Sequence, residues 1–270
     1  MASPLEHVMD EETHWTIFKE IGLEIPLPNI MGFQITKFML LEVIAAAIIL
    51  ALFIPLARRS RSDGPPKGPL WNALEAVLTF IRDQVAKPYI GEHDADRFVP
   101  FLWTLFLFLL VNNLLGMIPF MGSPTASLSV TWALAFCAFV VIHGSAIIKH
   151  GFVGYLQTYI PHLGMPMWQV FPIVILIAFI EVLSQFIKAG VLGIRLFANM
   201  FGGHTVLAVV LGFIAMAKNA SFFAFWGVTF ISVLGVTAIS MLELFVAFLQ
   251  AFIFTFLTSL FVGSMLHPEH

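Results

Sequence analysis

The hydropathy pattern divides the chain into long apolar runs separated by short polar segments. The apolar runs cover about residues 34–57, 99–120, 127–148, 168–216 and 222–265. A membrane-spanning helix needs about 20 apolar residues, so each run is long enough to cross a bilayer. The pattern predicts an all-α integral membrane protein with five transmembrane helices.

The last two apolar runs are longer than one crossing requires. A continuous helix of about 50 residues, rising 1.5 Å per residue, exceeds a hydrocarbon core of about 30 Å. Proline interrupts neither run after Pro172. We therefore expect a long helix hairpin that is tilted steeply in the membrane, or a break in its first helix at Gly202-Gly203.

An amphipathic segment lies between the first two spans. Over about residues 70–87, apolar side chains recur with i, i+3, i+4, i+7 spacing and polar ones take the other faces, which favours an interfacial helix. Four segments follow from this pattern. They are an extracytoplasmic tail (1–33), the first span with a cytoplasmic loop and the interfacial helix (34–97), a transmembrane hairpin (98–150), and the tilted hairpin (151–270).

Composition excludes a water-soluble domain. Hydrophobic residues make up 59% of the chain and charged residues only 11%, against about 25% charged in soluble domains. The net charge of −3 gives no basic surface for nucleic acid. The single cysteine, Cys137, excludes a disulfide framework and a thiolate metal site. We expect no cofactor and no metal, and the absence of a GxxxxGK[ST] loop argues against a catalytic nucleotide site.

Loop charges predict the orientation. Cytoplasmic loops carry an excess of Lys and Arg. With the N-terminus outside, eight of these residues fall on the inner side and three on the outer side. We therefore expect a multi-pass protein of the cell inner membrane with an external N-terminus and a cytoplasmic C-terminus.

Polar residues inside the first long helix form a stripe. At 100° per residue, five of them fall within a sector of about 60°; they are Glu181, Ser184, Lys188, Arg195 and Asn199. Such a stripe must face protein or water, because ionisable groups are costly in lipid. The guanidinium of Arg195 cannot be deprotonated, so it cannot relay a proton. It can attract a carboxylate and repel a hydronium ion.

A titratable pair is expected between the two long helices. His204 lies about 180° around the helix from Arg195, so we expect it to face the last helix, where Glu243 and Gln250 share a face. Structural interpretations remain open. Arg195 could neutralise Glu181 or Glu243, and Lys188 could extend to the interface. Ser184 and Asn199 could bond neighbouring helices, and His204 could simply be packed.

Four sequence motifs resemble subunit a of the F-type ATP synthases, the membrane stator of a rotary motor. The resemblance covers nearly the whole chain. It rests on residues 193–200 (GIRLFANM), residues 249–254 (LQAFIF), residues 112–119 (NNLLGMIP) and the spacing of Glu181, Ser184 and Lys188.

The resemblance implies an ion path completed by a ring of c subunits, each with one membrane carboxylate. Arg195 would separate two offset half-channels. The outer half-channel would contain Asn199, His204, Glu243 and Gln250, and the inner one Glu181, Ser184 and Lys188. The other implied partners are b-type peripheral stalk subunits and membrane lipid. The chain would translocate protons without being catalytic by itself.

This sequence departs from the family pattern in two places. Many relatives carry a glutamate at the position of His204 and a histidine at that of Glu243, so the acid and the imidazole are exchanged. Gly116 replaces an acidic residue of some relatives. Alternatives are a sodium-coupled version of the same motor, a self-contained secondary transporter, and a purely structural assembly subunit.

Overall fold

Helices dominate the computed structural model, which describes residues 14–18, 23–26, 29–30, 33–60, 68–118, 122–158, 167–219 and 221–267. The helices are α1 (Lys37–Ser60), α2 (Pro69–Phe80), α3 (Lys87–Ile90), α4 (Glu92–Gly116), α5 (Leu128–Gln157), α6 (Met167–Met216) and α7 (Phe222–Leu266). Among the described residues, five helices are long and apolar enough to cross a membrane: α1, α4, α5, α6 and α7. This confirms the predicted all-α membrane architecture with five spans.

Short strands precede α1, which the hydropathy pattern does not predict. β1 (His14–Phe18) pairs antiparallel with β2 (Leu23–Pro26), and β3 (Asn29–Ile30) pairs antiparallel with β4 (Phe33–Gln34). The aromatic and β-branched residues of β1 favour extended backbone. The rest of the predicted tail, and residues 61–67 at the predicted cytoplasmic loop, lie outside the described residues.

The amphipathic segment is helical, as its spacing predicts, but it is not one regular α-helix. α2 continues into a π-helical segment (Ile81–Ala86) and then into α3. Its apolar side chains Ile81, Val85 and Ile90 are buried. The Oγ of Ser259 on α7 donates a hydrogen bond to the Val85 carbonyl (2.8 Å). The irregular turn is therefore bonded to a neighbouring helix.

The structure corrects one predicted boundary and settles two details that the hydropathy pattern leaves open. The polar run 92–97 forms the first turns of α4, and Glu92 and Asp94 in the first turn suit the positive end of the helix dipole. The glycine and proline residues of 151–166 predict a loop from Gly151 to Pro166, but α5 continues to Gln157 after a kink at Gly151, where φ is 72°. α6 runs without a break through Gly202-Gly203.

The contacts divide the chain into two compact units, each made of several segments. The first unit comprises Met1–Asp63, Leu107–Thr131 and Arg195–Ala251. The second unit comprises Gly64–Phe106, Trp132–Ile194 and Phe252–His270. In each unit, long helices supply buried apolar side chains, such as Leu41, Leu109 and Met200 in the first and Leu102, Ala138 and Val262 in the second.

Candidate functional site in the first unit and the polar stripe of helix α6

Arg195 lies at the edge between the buried and the exposed faces of α6. Leu192 and Leu196 on one side of it are buried, whereas Val191 and Ile194 on the other side are exposed. The Arg195 side chain itself is half-buried. It forms no hydrogen bond or salt bridge with any residue that the structure describes. The guanidinium is therefore available to an anion that approaches the exposed face of α6.

His204 and Glu243 meet between α6 and α7, as the helical spacing leads us to expect. His204 Nδ1 lies 3.7 Å from Glu243 Oε1, and the Glu243 side chain is only 4% exposed. Within the described part of the chain, His204 Nε2 and Glu243 Oε1 are buried without a hydrogen-bond partner. The pair is thus close enough to exchange a proton through one water molecule but does not form a hydrogen bond in this arrangement.

Gly203 allows this close approach of the two helices. An added Cβ at Gly203 would lie 2.6 Å from Glu243 Oε1, whereas a Cβ at the neighbouring Gly202 would meet nothing within 4 Å. Any side chain at position 203 would therefore displace the carboxylate. The glycine pair, which the sequence offers as a possible break, instead supplies space for an acid inside an unbroken helix.

A polar residue of α4 fixes the position of α7. Asn113 is completely buried; its Nδ2 donates to the Ala247 carbonyl (3.1 Å), and its Oδ1 accepts from the Thr125 hydroxyl (2.7 Å). Ala247 lies one turn from both Glu243 and Gln250. Sequence reasoning places Asn113 only within a motif and misses this role. The signal that the sequence offers is an amide side chain in an otherwise apolar run.

The other predicted outer residues lie near these in the chain but are not bonded to them. Gln250 is buried on α7, and Asn199 is half-buried on α6. Neither side chain forms a hydrogen bond with a described residue. The residues predicted for the outer half-channel all belong to the first unit, and two of them, His204 and Glu243, lie 3.7 Å apart.

The residues predicted for the inner half-channel belong to the second unit. Glu181 and Lys188 are exposed and Ser184 is half-buried. The Nζ of Lys188 lies 5.5 Å from the centre of the Phe261 ring on α7, a cation–π distance. Lys188 therefore packs over an aromatic face, as well as occupying the predicted stripe.

The chemistry of this arrangement is acid–base and electrostatic. Among the described residues, no group of three His, Cys, Asp or Glu side chains could hold a metal ion. What the described chain does contain is a cation without an anion and a buried acid next to an imidazole. Groups of this kind bind and transfer charge rather than form covalent intermediates.

Known proteins match nearly the entire chain. A family model described as ATP synthase A chain matches residues 39–263. ATP synthase subunit a of Myxococcus xanthus is 38% identical over 93% of this chain and 80% of its own length. ATP synthase subunit a of Chloroherpeton thalassium is 36% identical over 98% of this chain and 77% of its own length. ATP synthase subunit a 2 of Chlorobaculum tepidum is 37% identical over 96% and 71%.

The family match and the fold agree on the extent of the membrane-spanning part of the chain. The family model covers all five helices that are long enough to span a membrane, apart from their outermost residues. The chain belongs to the ATP synthase subunit a family, a multi-pass membrane component of the Fo portion that serves ion transport in ATP synthesis.

Proposed function

We propose that the chain is the proton-translocating stator subunit of a rotary ATP synthase, with Arg195 as the charge that separates two half-channels. The observation that carries the proposal is the state of Arg195. It is half-buried on a membrane helix and lacks an anion among the described residues. An arginine at membrane depth is unfavourable by about 2.5–3.5 kcal/mol or more unless it is compensated. A carboxylate from another subunit would compensate it.

The partner implied is a ring of c subunits that each carry one membrane carboxylate. A carboxylate crossing lipid must be protonated, because burying it in ionised form is costly. Opposite Arg195 it can ionise, since a nearby positive charge favours the charged form. Protonation from one half-channel and release into the other would then give rotation a direction. One charge moved through the membrane potential supplies about 2.3 kcal/mol per 100 mV.

The two half-channels would use different sets of residues. We assign Asn199, His204, Glu243 and Gln250 to the outer path, and Glu181, Ser184 and Lys188 to the inner path. Each set lies within a single compact unit.

The remaining assignments extend the same proposal. The chain would be non-catalytic by itself, would contact b-type peripheral stalk subunits and lipid, and would have an external N-terminus and a cytoplasmic C-terminus. Protons are favoured over sodium because the buried pair contains an imidazole, which can bind and release a proton. A sodium site would favour a cluster of oxygen ligands.

The test is Arg195→Lys in the whole ATP synthase, assayed as ATP-driven acidification of inverted vesicles. We expect pumping to be abolished while the complex assembles normally, because lysine lacks the planar, permanently charged head group. Lys218→Gln is the matched control, since it removes an exposed cation just after α6. Pumping that survives Arg195→Lys would contradict the proposal, and pumping that requires added sodium would favour the sodium alternative.

A further inference from the structure

A buried histidine in α5 is not among the residues that the proposed function assigns to the two half-channels. His143 is only 7% exposed, and its Nδ1 lies 2.9 Å from the hydroxyl of Tyr155. The resemblance to the ATP synthase family assigns nothing to this position. A buried imidazole in a membrane helix is by default a candidate for function.

The contact with Tyr155 depends on the kink at Gly151. Twelve residues of straight helix would separate the two Cα atoms by about 18 Å at 1.5 Å per residue. Gly151 takes φ 72° and ψ 166°, which lie outside the helical region and which side-chain-bearing residues rarely adopt. The chain turns there, so that Tyr155 reaches back to His143. The hydroxyl and the imidazole are brought together by a specific backbone feature.

His143 also borders a small cavity between α5, α6 and α7. The cavity volume is about 10 Å³, and the polar side chains that line it are His143 and Gln185, with apolar walls that include Ala138, Ala189 and Phe261. This volume is just enough for one water molecule. Gln185 is 6% exposed and His143 is 7% exposed, so both polar side chains are largely buried where they border the cavity. A water in this cavity would bridge them, since buried waters bond to polar groups of this kind.

The cavity adjoins the predicted inner half-channel. Gln185 follows Ser184 directly on α6, and Lys188 lies one turn further along. The ring of Phe261, which forms one wall of the cavity, is the ring over which Lys188 lies at 5.5 Å. All of these residues belong to the second unit.

We propose that His143 is a proton-transfer residue of the inner half-channel, joined to Gln185 through a water in this cavity and to Tyr155 through its Nδ1. This inference rests on the proposed function. The ring takes up a proton at one nitrogen and releases one from the other, so that protons balance and the histidine returns to its neutral form. The polar groups around the ring are Tyr155 on α5 and Gln185 on α6, with Lys188 beyond the Phe261 wall; no described carboxylate lines the cavity.

Water access is tested with a cysteine probe. In a Cys137→Ser background, His143→Cys is compared with Ala146→Cys, which is also buried on α5 but does not line the cavity. The probe is Ag⁺, applied to vesicles containing the whole complex. We expect position 143 to react at least about tenfold faster than position 146, because Ag⁺ requires water and a thiolate. Equal rates would overturn the proposal.

Proton transfer is tested separately with His143→Gln. Glutamine retains hydrogen-bonding capacity but cannot change its protonation state. We expect passive proton conduction through Fo to fall at least about tenfold, since a positioned proton-transfer group is worth about 10²–10⁴. Normal conduction in His143→Gln would show that the histidine only bonds neighbouring helices. The Ag⁺ result does not depend on pumping, so failure of the stator proposal and failure of this inference are distinguishable.

Discussion

Replacing Gly203 by alanine tests whether the position of the Glu243 carboxylate matters for proton transfer. The added Cβ would lie 2.6 Å from Glu243 Oε1, and ordinary contact begins at 3.4 Å, so the oxygen must move by 3.4 − 2.6 = 0.8 Å. The oxygen is the free end of a flexible side chain, and the helices need not separate. The displacement therefore changes the distance between Glu243 Oε1 and His204 Nδ1, which is 3.7 Å in the structure.

The matched control is Gly202→Ala, because a Cβ there meets nothing within 4 Å. Alanine stabilises a helix interior by about 1 kcal/mol relative to glycine. We expect Gly202→Ala to raise the free energy of unfolding by up to about this amount and to leave pumping unchanged. In Gly203→Ala the same gain is offset by the displaced carboxylate, so thermal stability should change little.

The rate of ATP-driven proton pumping should differ between Gly203→Ala and Gly202→Ala. Misplacing a reacting group by about 1 Å can reduce a rate by about 10²-fold, so we expect Gly203→Ala to lower ATP-driven proton pumping by about 10- to 100-fold. Adding Glu243→Asp, which shortens the acid, should restore part of the rate. Equal pumping by Gly203→Ala and Gly202→Ala would refute the assignment of Glu243 to the path.

Two further substitutions test how the helices are held. Gly263→Ala should lower the free energy of unfolding by about 1–3 kcal/mol, because the added Cβ would overlap the backbone carbonyl of Tyr89, which cannot move aside as a side chain can. Thermal unfolding of the purified complex measures this loss. An unchanged unfolding transition would contradict the close packing of Gly263 against Tyr89. Asn113→Leu removes a donor to the Ala247 carbonyl and an acceptor for Thr125, with an expected loss of about 1–2 kcal/mol. Thermal unfolding of the Asn113→Leu complex checks this loss, and we also expect slower proton pumping because α7 would shift.

The membrane helices could be predicted from the sequence because their signal is strong and local. Each span is a long apolar run, and α6 (Met167–Met216) and α7 (Phe222–Leu266) begin and end within one residue of the predicted limits. The start of α4 was harder to predict. Its first turns, from Glu92, are polar, and hydropathy cannot distinguish a polar helical turn from a loop. The pairing of the short strands before α1 was likewise absent from the hydropathy pattern.

The site was predictable in part. Helical spacing places His204 opposite Arg195 and toward α7, where the structure has Glu243. The roles of Gly203 and Asn113 depend on contacts between residues that are far apart in the chain; Asn113 and Ala247 are 134 positions apart. Such contacts follow from packing, which periodicity along one helix does not describe. The contact of Tyr155 with His143 likewise requires the backbone turn at Gly151.

The geometry of the acid–imidazole pair argues against a purely structural salt bridge. A buried ion pair stabilises only when its partners are close and their remaining groups are bonded. Here the nearest atoms of His204 and Glu243 are 3.7 Å apart, and one buried atom on each lacks a partner among the described residues. Each such group is unfavourable by about 1–3 kcal/mol. A packing role would be better served by leucine, so the presence of an acid and an imidazole at this buried contact supports a function that needs them to gain and lose protons.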